Sequence, residues 1–73
     1  MNFKQAVDEL RKGAKVRRAT WEAGNCLVLP AGADRTGPDV AFLARCRVRS
    51  ARGDDYWFGS KDDARAQDWE VLT

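Results

Sequence analysis

The sequence contains no histidine, and its two cysteines, Cys26 and Cys46, stand alone in separate apolar segments. That removes the usual staples of a small chain. A zinc set needs paired cysteines at close spacing or histidines to complete it, and isolated thiols flanked by strand-forming residues read as buried, reduced hydrophobes. Nothing marks the chain for an oxidising compartment, where thiols pair. A chain of 73 residues hides only about 60% of the surface its unfolded form exposes. One domain over residues 1–73 is therefore expected, with a core worth roughly 3–5 kcal/mol unless self-association adds to it. The opening residues lack the long apolar region of a signal peptide, and no run of about 18 apolar residues offers a membrane span. The expected location is the cytoplasm.

Periodicity then divides the chain. Asn2 can cap a helix starting at Phe3, with Gln5 placed to reach back to it. Ala6, Val7 and Leu10 share one face by three-four spacing, and Gly13 ends the helix. From Lys15 the pattern alternates as in strands, with Val16 in one short strand and Cys26–Leu29 in a second that Pro30 closes. The Gly-, Asp- and Pro-bearing stretch from Ala31 to Pro38 reads as the most mobile loop. Ala41 to Arg49 reads as a strand, Phe42, Ala44, Cys46 and Val48 on one face, Leu43, Arg45, Arg47 and Arg49 on the other. A turn at 51–55 leads into an aromatic strand, Tyr56–Phe58. Ser60 with Asp63 caps one helical turn, Lys61 to Ala66, and Trp69–Leu72 forms the last strand. The fold class expected is α+β: a short amphipathic helix on a small antiparallel sheet, with one further helical turn before the last strand.

Chemistry-bearing patterns are few. No histidine, Gly-rich phosphate loop or nucleophile elbow is present, so binding rather than catalysis is expected, and no motif implies a cofactor or metal. The pairs Asp54-Asp55 and Asp62-Asp63 read as a turn and a helix start. Arg45, Arg47 and Arg49, on one strand face, would stand at steps of about 6.6–6.8 Å and suit an extended anion. Arg17 and Arg18 precede Trp21, a pairing of base and aromatic that can hold a nucleobase with its phosphates. Of the three tryptophans, Trp69 is expected in the core. Trp21 and Trp57 lie where strands meet loops, and Trp21 has one ring face free for stacking.

The order of these signals resembles the Thoeris anti-defence 2-like family, small proteins of bacteriophages and related mobile elements. The N-terminal match runs through Met1-Asn2-Phe3, Ala6, Val7, Leu10, Gly13 and Lys15-Val16-Arg17-Arg18-Ala19-Thr20-Trp21. The C-terminal match, more specific, is Trp57, Ser60, Asp63, Ala66, Asp68 and Trp69. Glu22 stands where that family usually has asparagine, and Gly59 where it usually has proline. The resemblance implies a homo-oligomeric sponge for cyclic ADP-ribose derivatives, holding the signal between protomers without degrading it. Trp21 or Trp57 would then stack the base, Arg17, Arg18 or the Arg45-Arg47-Arg49 row would meet phosphates, and Ser60 or Asp68 would bond ribose hydroxyls. The alternative is an anti-CRISPR-like inhibitor that binds a defence effector protein directly. A third reading, direct nucleic-acid binding, is weakened by a net charge of only +2 and by 11 acidic residues.

Overall fold

The computed structural model describes residues 1–57 and 59–72. Asn2 caps helix α1 (Phe3–Arg11): its side chain accepts from the Gln5 amide at 2.9 Å, and the Gln5 side chain accepts from the Asn2 amide at 2.9 Å. This is the reciprocal box read in the sequence. The helix ends in a Schellman turn, the Ala14 amide donating to Glu9 O and the Gly13 amide to Leu10 O, made possible by φ = +96° at Gly13. Ala6, Val7 and Leu10 are its buried face.

Five strands follow: β1 (Lys15–Arg18), β2 (Cys26–Val28), β3 (Arg47–Ser50), β4 (Gly53–Tyr56) and β5 (Trp69–Leu72). They form one sheet in the order β4-β3-β2-β1-β5, with every neighbouring pair antiparallel. Two short helices, α2 (Asp39–Arg45) and α3 (Lys61–Arg65), complete the chain. Val16 of β1 faces Leu27 of β2 and Val71 of β5, and Leu27 faces Val48 of β3. Directly opposed residues share a sheet face. Val16 and Leu27 join Ala6, Val7, Leu10, Phe42, Cys46 and Trp69 in the core. The opposite face carries Lys15, Arg17, Cys26, Val28, Arg47, Arg49 and Tyr56, and none of these residues belongs to that core cluster.

The α+β fold class and the helical turn before the last strand, α3, are as expected; one element is corrected, the strand read over Ala41–Arg49 being instead α2 followed by β3. Phe42 and Cys46 are both buried, and a spacing of four satisfies a helix face and a strand face alike, so alternation alone could not decide. In the structure Pro38 (φ −67°, ψ 157°) is the N-cap residue, and Asp39 lies in the first turn, where its charge suits the positive end of the helix. As a consequence Arg45, Arg47 and Arg49 do not form a row on one sheet face. Arg45 lies on α2, and only Arg47 and Arg49 belong to β3.

The hairpin turn is tighter than expected, Ser50 pairing with Gly53 around Ala51 and Arg52, so β4 begins at Gly53. The expected strand Tyr56–Phe58 overlaps β4 only at Tyr56, and Phe58 lies outside the described residues. The loop between β2 and α2 is tied down on both sides. Arg11 donates to Arg35 O (2.7 Å), Gly37 O (2.9 Å) and the Asp39 carboxylate (2.8 Å), with its guanidinium 4.3 Å from the centre of the Phe42 ring. Arg45 donates to Thr36 O at 2.9 Å and Asp34 O at 3.4 Å.

Candidate functional site

The helical side of the sheet carries a connected aromatic strip. Trp69, 2% exposed, sits at its centre and donates its indole N–H to Asp63 O at 2.9 Å. Trp21 meets it edge-on at 5.5 Å between centroids, Phe3 lies at 5.4 Å, and Trp57 stands at 6.3 Å and 84°. Phe3 and Trp57 also touch, at 5.8 Å. Such geometries add about 0.5–1.5 kcal/mol per pair beyond burial. Trp69 is thus the core tryptophan expected from the sequence, with Trp21 and Trp57 on either flank.

On the Trp21 flank the basic residues are already engaged. Arg18 donates to Asp68 at 2.9 Å and to Asp63 at 3.0 Å. The Asp68 hydrogen bond, then that of Asp63, raises the Arg18 pKa, and the bond from Arg18 holds the Asp68 carboxyl below the ordinary carboxylate value. Arg17 pairs with Glu70 at 3.2 Å and donates to Ala19 O at 3.2 Å and Trp21 O at 2.9 Å, bracing the turn that carries Trp21. Both guanidiniums would have to exchange partners to meet a phosphate.

On the Trp57 flank an open apolar groove of about 420 Å³ runs between α2 and α3, lined by Phe3, Val40, Leu43, Ala44, Trp57, Gly59, Ser60 and Ala64. Ser60 caps α3, its hydroxyl accepting from the Asp63 amide at 3.2 Å while the Asp63 carboxylate accepts from the Ser60 amide at 3.3 Å. Gly59 has a different task. A Cβ there would lie 2.6 Å from the Trp57 ring, so the absence of a side chain lets the indole rest on the backbone and form one wall of the groove.

The structure therefore divides the residues singled out in the sequence. Trp57 and Ser60 share the groove; Arg18, Trp21 and Asp68 gather beyond Trp69; Arg17 lies on the opposite sheet face and reaches only the Trp21 carbonyl; Arg45 holds the loop. Arg47 lies on the same sheet face as Arg17, donating to Ala44 O and Cys46 O with its guanidinium 4.4 Å from the centre of the Tyr56 ring. Asp54 pairs with Arg49, and Asp62 and Asp63 lie in the first turn of α3. Sequence reasoning missed Val40, Leu43 and Ala44 as groove residues. Their three-four spacing was the available signal, hidden once the segment was read as a strand. Burial pushes the Cys46 thiol up to about 11, which suits a core hydrophobe rather than a nucleophile. Among the described residues no His, Cys, Asp or Glu cluster could hold a metal ion.

The described residues thus form a small α+β domain with an open aromatic groove on its helical side. The family model of the Thoeris anti-defense 2-like domain matches residues 1–72, and the chain belongs to that family. Its role is therefore anti-defence, and its family is one of bacteriophages. No curated protein matches the chain. No helix among the described residues is long and apolar enough to cross a membrane.

Proposed function

We propose that the protein binds and sequesters a nucleotide-type immune signal, a cyclic ADP-ribose derivative, without converting it chemically. The observation that carries this reading is the groove beside Trp57: its volume falls within the usual range for small-molecule sites, and an indole wall with the Ser60 hydroxyl nearby suits a planar base and a ribose edge. Trp57 is accordingly the first candidate for stacking and Trp21 the second. The phosphates are assigned to Lys61, which follows Ser60 and has no carboxylate partner among the ion pairs of the described residues, with Arg18 available only by exchange. Self-association accompanies this reading. The chain exposes 4879 Å² for 8.2 kDa, against about 4,500 Å² for a typical monomer of that mass, and Val40 at the groove rim is 84% exposed. A partner protomer would enclose the ligand that the open groove leaves half in water.

Calorimetry against a panel of cyclic ADP-ribose derivatives tests the proposal. Wild type is expected to bind at least one and to release it intact on heating, with Trp57→Ala losing about 1–3 kcal/mol of affinity, the value of one base on one ring. Folded wild-type protein that binds none of the panel at tens of micromolar would end the sponge reading.

A further inference from the structure

The face of the sheet turned away from the core cluster carries an excess of basic over acidic residues. By the register of the strands it presents Lys15, Arg17, Arg47 and Arg49, opposed by only Asp54 and Glu70. Four of the 13 basic and two of the 11 acidic residues lie there, leaving nine of each for the rest of the molecule. The formal net charge of +2 is thus a property of one face. Within that face the charges are arranged unequally. Arg17 pairs with Glu70 at 3.2 Å and Arg49 with Asp54 at 3.0 Å, whereas neither Lys15 nor Arg47 has a carboxylate partner among the ion pairs of the described residues. Apolar surface accompanies the two excess cations. Leu72 lies opposite Lys15, and Tyr56, 63% exposed, lies opposite Arg47. A hollow of about 430 Å³ on this side has Lys15, Arg49, Cys26 and Leu72 in its lining and no acidic residue.

We propose that this face docks an acidic protein surface, separately from the groove beside Trp57. Magnitudes favour a protein over a nucleic acid. Specific nucleic-acid binders neutralise several phosphates, and an excess of two charges bordered by Asp54 and Glu70 would repel a continuous polyanion at both margins. A protein surface of mixed charge can instead match cations at the centre and carboxylates at the rim. Arginine and tyrosine beside an apolar floor are also the residues enriched at protein interfaces. Five strands about 4.8 Å apart and four residues long cover about 300 Å², well short of the roughly 800 Å² that each side of a standard interface buries. The contact is therefore weak, electrostatically steered and sensitive to salt.

Titration of the isotopically labelled full chain with a short glutamate-rich peptide containing tyrosine, followed by amide chemical shifts, tests this. At low salt the expected result is saturable shifts confined to β1, β3 and β4, fading at about 150 mM salt. Lys15→Gln should weaken binding about 1.5–5-fold, the scale of one exposed charge pair, and Lys15→Gln with Arg47→Gln more. Lys4→Gln on the helical side should leave it unchanged. Lys15 is exposed, so its single variant keeps the test readable if Arg47→Gln disturbs the hairpin. Absence of saturable shifts at low salt, shifts spread over the helical side, or tighter binding of a short oligothymidylate than of the peptide would each overturn the proposal.

Discussion

At Trp69 one side chain serves packing and hydrogen bonding together. It is buried against Phe3, Trp21 and Trp57, and its indole N–H is satisfied by Asp63 O. Truncation to Ala should cost about 3–5 kcal/mol, measured by chemical denaturation, and an unchanged midpoint would contradict its central place. This role was legible in the sequence because Trp69 opens an apolar strand directly after a capped turn. The seat of Trp57 was not, since it depends on a through-space approach to Gly59 that no spacing rule reports. In Gly59→Ala the ring must move, at a cost of about 1–3 kcal/mol for the overpacked site. The check is near-ultraviolet circular dichroism, in which the tryptophan bands should change while the far-ultraviolet spectrum is kept.

Elements announced by their own caps were readable, and those decided by tertiary context were not. Asn2 with Gln5 and Ser60 with Asp63 marked α1 and α3 by local chemistry alone, and both boxes are formed. Helix α2 lacks a side-chain cap, and its buried positions fit either period, so the sequence left strand and helix equivalent there. Because Arg45 went with the helix, an expected anion-binding row became in part a brace for the loop. Ser60→Ala should lower stability by about 1 kcal/mol, detected as an earlier urea midpoint. The brace makes a second prediction at this scale. Arg11→Ala removes three hydrogen bonds to the 35–39 segment and the contact with Phe42, worth about 1–2 kcal/mol for a partly exposed charged donor. Trypsin should then cleave after Arg35 faster than in wild type, and equal rates would mean that Arg45 alone holds the loop.

Across the whole molecule, acid tolerance depends on carboxylates engaged by neighbours. The carboxyl pKa values of Asp68, Asp54 and Asp34 are lowered by hydrogen bonds from Arg18, Arg49 and Thr36 respectively. A lowered folded value means that the stabilisation is complete above the ordinary value of 3.8 and is lost as pH falls through the lower, folded one. The melting temperature should therefore hold from neutral pH to about pH 5 and fall below about pH 4. Asp68→Asn should start lower and fall less steeply, and parallel curves would show that the Arg18 contact does not carry the effect. The same contact joins residues 50 positions apart, as part of the pairing that lays β5 beside β1. Closing so long a loop is slow, and folds dominated by such pairings are slow to form. On the ribosome, β1 and its helix must wait with an open sheet edge and an unfilled core until Trp69 clears the exit tunnel.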